Sequence, residues 1–361
     1  MRRIGSGPRR CPKGLDERPP GRLSGPPDDV AAHFRCAASP ARPLLAGKPE
    51  RRSQWVPIIA AWYKSAAGGR RAAAPAKLNL YLHVTGRRRD GYHLLDSLVA
   101  FAGIHDVLEA READRLALEV AGAFGEALAA EEDNLVLRAA RSLAAATGIK
   151  AGAHLTLEKN LPLGAGIGGG SADAAAALEL LARLWGVRLE EEAMDALALS
   201  LGADVPVCRL GRAAFVGGVG ERLDPAPALP PAYLVLANPR RPLATAQVFG
   251  ARTGPYTEPA PFTAAPADAA GLARLLAERR NDLTEPARRL MPEIDDGLAA
   301  LAEAGGCLLS RMSGSGATCF GLFADAFAAD SAATGVRSRL PDWWVVSTPL
   351  MGDVRAFEPA G

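Results

Sequence analysis

Five glycines fall within seven residues near the middle of the chain, directly before an alanine-rich helical pattern. They are Gly164, Gly166, Gly168, Gly169 and Gly170. Glycine lacks a Cβ, so backbone N–H groups can converge there and a bulky anion can approach closely. The N-terminus of the following helix adds unpaired N–H donors and the positive end of a dipole, and Ser171 adds a hydroxyl. The pattern therefore predicts a site for phosphate groups.

Three other interpretations of this glycine loop can be weighed. The P-loop motif does not match, because Ser171 and Ala172 stand where Lys and Ser or Thr are required. The G-x-G-x-x-G motif does match, but a dinucleotide fold also needs a second strand after the helix. Residues 189–199 instead have the pattern of another helix. A turn without a ligand is the third interpretation, although few turns need five glycines.

Lys77, Asn79 and Asp204 are polar residues whose placement could support catalysis. Residues 76–84 alternate strictly, which predicts a strand with Lys77 and Asn79 on one face. The alternative is an ordinary exposed strand. Asp204 follows a predicted helix and precedes valine and proline, which suggests partial burial. A buried carboxylate needs a partner such as a lysine ammonium, although Asp204 could instead simply cap a helix.

Two more turns contain residues that could bind a ligand. Residues 89–93, Arg-Asp-Gly-Tyr-His, are a hairpin signal, and they also place an aromatic ring beside an imidazole, as a flat ligand would require. The stretch Ser313-Gly-Ser-Gly-Ala is either a strand entry or the second side of a phosphate site.

Composition limits the possible functions. The chain has 361 residues, of which 48% are hydrophobic and 23% charged, as in ordinary globular proteins. Residues 1–70 carry 14 basic and 5 acidic residues and the remainder 28 and 35, so the body is mildly acidic and does not indicate nucleic-acid binding. Five scattered cysteines favour a reducing, cytoplasmic setting without a zinc site. No apolar run is long enough to span a membrane.

The Arg-, Pro- and Gly-rich segment 1–72 is expected to be a disordered extension, with an untranslated upstream stretch, a transit peptide or a basic arm as alternatives. Beyond it, strand and helix patterns alternate irregularly. The strand patterns lie at 76–84, 97–101, 106–109, 116–120, 154–159, 233–237, 319–323 and 344–347. The helical patterns lie at 135–147, after the glycine loop, and at 190–201, 272–279 and 286–304. With a Pro/Ala-rich linker at 223–232, this order predicts an α+β protein of two domains, 73–225 and 226–361.

Three blocks, in this order, resemble the GHMP kinase superfamily. They are Pro75-Ala-Lys-Leu-Asn, Pro162-x-Gly-x-Gly-x-Gly-Gly-Gly-Ser, and the late Ser-Gly-Ser-Gly-Ala. The opening strand with its Gly-Tyr-His turn is most similar to the branch that phosphorylates the 2-hydroxyl of a cytidine diphosphate-linked methylerythritol in non-mevalonate isoprenoid biosynthesis. The resemblance covers residues 75 to the C-terminus. It implies an N-terminal α/β domain with a mixed sheet and a C-terminal ferredoxin-like α+β domain.

The resemblance also implies roles for residues at the substrate. Lys77 and Asp204 would be the catalytic pair beside the substrate hydroxyl. The substrate-binding residues would be Asn79, Tyr92, His93, Thr245 and Phe249. Among these, Tyr92 and Phe249 would sandwich the cytosine ring while His93 hydrogen-bonds its edge.

ATP would be the co-substrate, with Mg²⁺ bridging its phosphates and no metal-ligating residues assigned. Asn134 and Lys159 would lie on the adenine side. The residues around the phosphates would be Pro162, Leu163, Gly164, Ala165, Gly166, Ile167, Gly168, Gly169, Gly170, Ser171 and Ala172. Ala165 and Ala172 depart from the glycine and serine that many relatives carry, which alters detail while Ser171 is retained.

The sequence thus predicts a cytoplasmic small-molecule kinase, monomeric or homodimeric, that binds neither nucleic acid nor membrane. Three alternatives stay open: a GHMP kinase for a different alcohol, a non-catalytic nucleotide-binding relative, and a nicotinamide-dependent oxidoreductase. The joint presence of Lys77 and Asp204 argues against the second, because a binding module needs neither.

Overall fold

The computed structural model describes Tyr63–Lys64, residues 69–129 and residues 134–356. Most of segment 1–72, for which disorder was expected, therefore lies outside the described residues. The strands are β1 (Tyr63–Lys64), β2 (Arg70–Arg87), β3 (His93–Ala113), β4 (Ala117–Ala121), β5 (Gly152–Glu158), β6 (Ala214–Gly218), β7 (Arg222–Pro225), β8 (Tyr233–Asn238), β9 (Leu309–Met312), β10 (Cys319–Phe323) and β11 (Trp344–Met351).

Helices alternate with these strands along the described part of the chain. They are α1 (Gly125–Ala129), α2 (Leu135–Thr147), α3 (Gly169–Leu184), α4 (Glu191–Leu201), α5 (Val205–Leu210), α6 (Thr245–Gly250), α7 (Ala269–Ala277), α8 (Thr284–Leu290), α9 (Ile294–Ala302) and α10 (Ala326–Arg339). The short 3-10 helix Val354–Ala356 follows β11.

The sheet has two parts that share one hydrogen-bonded path, β1-β2-β3-β11-β8-β10-β9. In the first part β3 also pairs with β5 and β6, and β4 pairs with β5 in parallel, so this sheet is mixed. In the second part the order β11-β8-β10-β9 is the 4-1-3-2 order of a ferredoxin-like βαββαβ unit, and these neighbouring strands are antiparallel. The α+β class with its two kinds of sheet is confirmed.

The predicted boundary between domains at residue 225 stays a prediction. β11 joins the two parts, because Leu350 and Met351 pair with β3 while the earlier part of the strand pairs with β8. The first residues of the predicted linker form β7, which pairs with β6 as a hairpin.

β2 is buried along most of its length, although its alternating sequence predicted one polar face. Lys77 is 3% exposed and Tyr81 is fully buried, like Leu78 and Leu80. α3 packs against β2, and Leu78 and Leu80 pack in a cluster with β8, β10 and α7. The register also shifts between Asn79 and Tyr81, so the two-residue period is interrupted. The exposed-strand alternative is therefore wrong.

Several predicted elements have different bounds in the structure. The patterns at 97–101 and 106–109 belong to the single strand β3. The predicted helix 286–304 is two helices, α8 and α9, separated at Met291 and Pro292. Proline lacks an N–H, and its ring blocks the preceding turn, so it ends the helix there. In contrast, α2 and β10 have the predicted bounds.

Candidate active site

Lys77 and Asp204 meet where β2 passes the N-terminus of α5. Lys77 Nζ lies 2.9 Å from Asp204 Oδ2, although the residues are far apart in the chain. The Asp204 side chain is 41% exposed, whereas Lys77 is 3% exposed. Asp204 precedes α5 but makes no side-chain capping bond, so the capping alternative is wrong. The buried Lys77 ammonium thus fixes one oxygen of the Asp204 carboxylate, which a ligand can reach from solvent.

Asn79 and Ser97 hold the Lys77 ammonium in place. Lys77 Nζ donates to Asn79 Oδ1 at 2.9 Å, and Asn79 Nδ2 donates to Ser97 Oγ at 2.8 Å. Ser97 Oγ in turn donates to the Tyr81 carbonyl at 2.5 Å. Both ends of the Asn79 amide therefore bond to the protein and orient Lys77, and the expected contact of Asn79 with the substrate stays a prediction. The sequence reasoning missed Ser97, whose only signal was a hydroxyl within an apolar strand.

The glycine loop, residues 162–168 ahead of α3, is packed tightly against its surroundings. Gly166 has a φ of 73°, and a Cβ at this position would lie 2.5 Å from the Gly316 carbonyl oxygen. Gly168 has a φ of 63° and precedes α3, and a Cβ there would lie 3.0 Å from Lys77 Cε. The Lys77 N–H donates to the Ile167 carbonyl at 2.8 Å. The loop is therefore fixed beside the Lys77–Asp204 pair.

The second glycine-rich loop lies directly against the first. Ser313 Oγ accepts the Asn79 N–H and donates to the Gly166 carbonyl, both at 3.1 Å. This buried hydroxyl therefore links β2 to the glycine loop. Ser315 Oγ lies 2.9 Å from Thr245 Oγ1 at the start of α6. Both loops border the same cavity. This placement agrees with the interpretation of residues 313–317 as the second side of a phosphate site.

A cavity of about 1030 Å³ contains this chemistry. The predicted residues that line it are Lys77, Asn79, Tyr92, His93, Asn134, Lys159, Pro162, Leu163, Gly164, Ala165, Gly166, Gly168, Gly169, Gly170, Ser171, Asp204, Thr245 and Phe249. The Ile167 and Ala172 side chains are buried in hydrophobic clusters, so their expected contact with ATP stays a prediction that only their backbone could fulfil. Lining residues that the sequence reasoning missed include Arg87, Leu135 and Asp173.

An aromatic group lies at one end of the cavity. The His93 and Phe249 rings stack, with centroids 5.0 Å apart and planes at 26°. The Tyr92 side chain belongs to the adjoining hairpin turn, and Tyr92 is 55% exposed. Burial, followed by the nearby Arg87 and Arg252 guanidinium groups, lowers the pKa of His93 below its usual value. The lowered pKa favours the neutral form of the His93 imidazole at this end of the cavity.

Lys159 is bound by two carboxylates beneath the glycine loop. Its Nζ lies 2.5 Å from Asp106 Oδ2 and 2.6 Å from Asp173 Oδ2. These three residues, which we name the buried triad, are each at most 2% exposed. Burial raises the pKa of Asp173 to about 8, and neighbouring Lys159 only partly offsets that effect. The sequence reasoning identified Lys159 but neither of its partners.

The raised pKa of Asp173 predicts a pH-dependent stability. The native protein holds a proton that the unfolded chain releases between the ordinary pKa of 3.8 and about 8, so the free energy of unfolding falls as pH rises through this window. Lys159, Asp106 and the buried Cys208 thiol are the titratable groups that interact with Asp173. Asp173→Asn should remove this slope. Urea unfolding at pH 5 and pH 8 measures the free energy of unfolding of both proteins. An equal change with pH in wild type and Asp173→Asn would contradict the prediction.

Sequence comparison agrees with this geometry. The GHMP kinases N terminal domain matches residues 134–212, and the GHMP kinases C terminal domain matches residues 264–342. The 4-diphosphocytidyl-2-C-methyl-D-erythritol kinase of Paramagnetospirillum magneticum is 56% identical over 278 residues, covering 77% of this chain and 97% of the relative. The chain belongs to this kinase family. The 4-diphosphocytidyl-2-C-methyl-D-erythritol kinase of Rhodospirillum rubrum is 54% identical over 281 residues, covering 78% of this chain and 92% of that protein.

Solved structures agree with membership of the 4-diphosphocytidyl-2-C-methyl-D-erythritol kinase family. A crystal structure of 4-(cytidine 5'-diphospho)-2C-methyl-D-erythritol kinase is 36% identical, with a TM-score of 0.65 over 78% of this chain and 99% of that one. Homoserine kinase from Cytophaga hutchinsonii, at 18% identity and a TM-score of 0.60, shares the fold. The GHMP kinase fold is confirmed, and the protein is a small-molecule kinase with ATP as co-substrate.

The dinucleotide-binding alternative is also excluded by the order of elements. In the structure α3 is followed by α4 and α5 rather than by a second strand. Within the described part of the chain, no helix has both the length and the apolar character needed to cross a bilayer.

Proposed function

We propose that this protein transfers the γ-phosphoryl group of ATP to the 2-hydroxyl of 4-diphosphocytidyl-2-C-methyl-D-erythritol. One observation carries the proposal: the Lys77–Asp204 pair, 2.9 Å apart, borders the glycine loop within the cavity that also holds His93 and Phe249. The names of the relatives support the same substrate. The reaction would belong to non-mevalonate isoprenoid precursor synthesis, in the cytoplasm.

The nucleotide end of the cavity has two parts. The glycine loop and the N-terminus of α3 would bind the phosphates through backbone N–H groups and the helix dipole. Asn134 Oδ1 caps α2 by accepting the Val136 N–H at 2.8 Å, which leaves its amide nitrogen for adenine. Leu135 lines the cavity next to Asn134 and offers apolar contact to the purine ring.

Phosphoryl transfer depends on positioning and charge more than on covalent help. Asp204 would accept the proton of the attacking hydroxyl as transfer proceeds. Lys77 would keep that carboxylate ionised and offset the negative charge that develops on the transferred group. Asn79 holds the Lys77 ammonium in the orientation that both tasks require.

Magnesium fits this site as a companion of the nucleotide. Across the described ranges, no group of three or more His, Cys, Asp or Glu side chains could hold a metal ion. Mg²⁺ commonly needs only one or two protein carboxylates besides substrate phosphates and water. The ion would be held chiefly by the nucleotide phosphates and water, which leaves the Asp204 carboxylate free for the substrate hydroxyl. When bound, the ion would neutralise phosphate charge.

Tyr92 is proposed to stack on the cytosine ring, so Tyr92→Ala should weaken the cytidine substrate alone. Loss of one base–aromatic stack costs about 1–3 kcal/mol, which predicts a KM about 5- to 150-fold higher. The KM for ATP should not change. Steady-state kinetics with each substrate varied in turn measures both values. Tyr256→Ala is the matched control, because Tyr256 is similarly exposed but does not line the cavity.

The direct test supplies purified protein with ATP, Mg²⁺ and a panel of alcohols. The panel includes 4-diphosphocytidyl-2-C-methyl-D-erythritol, its cytidine-free methylerythritol phosphate, homoserine and mevalonate. ADP release only with the cytidine compound, and NMR detection of a 2-phosphate product, would support the proposal. Phosphorylation of another alcohol at a higher kcat/KM would overturn it. Sedimentation of the same sample would show whether the enzyme is a monomer or a homodimer, a choice that the sequence left open.

A further inference from the structure

The buried triad connects the entrance of the glycine loop to its exit. Asp106 lies on β3, and its Oδ1 accepts the N–H groups of Asn160 and Leu161 at 2.6 and 2.8 Å. These two residues lead into the loop. Asp173 lies in α3, which leaves the loop. Because Lys159 binds both carboxylates, a single ammonium ties both ends of the loop to the sheet.

The triad is more than a simple stabilising ion pair. Two carboxyl groups share one ammonium in a fully buried place, and burying charged and polar groups costs free energy that apolar packing avoids. Asp106 accepts three hydrogen bonds, whereas Asp173 Oδ1 is buried without a hydrogen-bond partner among the described residues. Stability alone therefore does not account for these three residues.

The triad also lies directly behind the predicted phosphate site. A Cβ on Gly169, the first residue of α3, would lie 3.1 Å from Lys159 Nζ. Lys159 and Asp173 border the cavity together with Gly168, Gly169 and Gly170. The ammonium thus supports the backbone whose N–H groups would face an anion.

We infer that Asp106, Lys159 and Asp173 are positioning residues for the polyphosphate of the nucleotide. They hold the glycine loop and the first turn of α3 in the one arrangement in which the N–H groups converge. The inference rests on the proposed function, because it takes the loop as the phosphate site. It also assigns the Lys159 ammonium to the loop rather than to adenine, where the family resemblance had placed this residue.

The test compares three ligands on full-length variants by calorimetry and competition NMR: β,γ-imido-ATP, adenosine and cytidine diphosphate. Asp106→Asn and Asp173→Leu should each weaken the ATP analogue tenfold or more. Adenosine and cytidine diphosphate should bind within threefold of wild type, because neither needs the loop. Asp173→Asn at pH 7 should retain binding of the ATP analogue within threefold, because its amide oxygen still accepts the Lys159 N–H.

Glu179→Gln is the matched control. Glu179 lies on the same helix, α3, and pairs with Arg209 at 3.0 Å, away from the cavity lining. It should leave the affinity for all three ligands unchanged. Thermal unfolding accompanies each measurement. If Asp173→Leu fails to fold, the test compares Asp106→Asn, which should weaken binding of the ATP analogue, with Asp173→Asn, which should retain it.

Three outcomes would overturn the inference. One is unchanged affinity for the ATP analogue in folded Asp106→Asn and Asp173→Leu proteins, even if they melt at lower temperature. Another is an equal loss of affinity for adenosine and the analogue, which would return Lys159 to the adenine side. The third is a wild-type protein that does not bind the analogue at all. Because binding is measured without turnover, a protein that binds ATP as expected but phosphorylates no alcohol would refute only the proposed function.

Discussion

Asp204→Asn is expected to lower kcat by about 10²- to 10⁴-fold, the usual contribution of a positioned general base. Asparagine has nearly the same shape, but its amide cannot take the proton of the attacking hydroxyl at neutral pH. The stability cost should be small, because the Asp204 side chain is 41% exposed and makes no capping bond to α5. Lys77 would keep its hydrogen bond to Asn79.

Single-turnover kinetics and calorimetry with β,γ-imido-ATP check this expectation together. Nucleotide affinity should stay within about threefold of wild type while the chemical step slows. Asp224→Asn is a suitable control, since Asp224 is an exposed carboxylate on β7 that pairs with Arg222 at 3.2 Å. A kcat within tenfold of wild type for Asp204→Asn would show that this carboxylate is not the proton acceptor.

Local patterns predicted much of the fold because they reflect local physics. Asn134 before an apolar period predicted the start of α2, and the structure shows its capping bond to Val136. The alternation in β2 predicted a strand but not its depth, since burial of both faces depends on α3 and the second part of the sheet. Pro292 interrupts the helical pattern at 286–304 and marks a helix break. The prediction of one helix followed the apolar periodicity and neglected this proline.

Site residues could be predicted from the sequence only where they belong to a recognisable motif. Lys77 and Asp204 were paired through a family resemblance, because no periodicity relates two residues so far apart in the chain. The partners of Lys159 illustrate the limit: Asp106 stands in an apolar strand and Asp173 in an alanine-rich helix, and neither belongs to a spacing rule. A charged residue in an apolar element was the available signal. Only the packing of β3, the loop entrance and α3 identifies its partners.

Lys77→Met is the second variant with a large expected effect, a loss of about 10²- to 10³-fold in kcat, as for removal of one preorganised donor at a developing charge. Methionine retains the apolar stem that packs against Gly168, so the loop should keep its place. The ammonium that faces Asp204 and Asn79 would be absent. The pH dependence of kcat and the affinity for β,γ-imido-ATP measure charge and loop geometry separately. Reduced nucleotide affinity with unchanged kcat would contradict a catalytic role for Lys77.

The double variant, Lys77→Met with Asp204→Asn, decides whether the two residues act as one unit. Groups that act together lose most of their effect when either is removed, so the double variant should be about as slow as the slower single variant. If the two losses in kcat multiplied instead, Lys77 and Asp204 would act independently. The 2.9 Å contact between them would then be a structural ion pair beside the reaction, rather than the group that activates the hydroxyl.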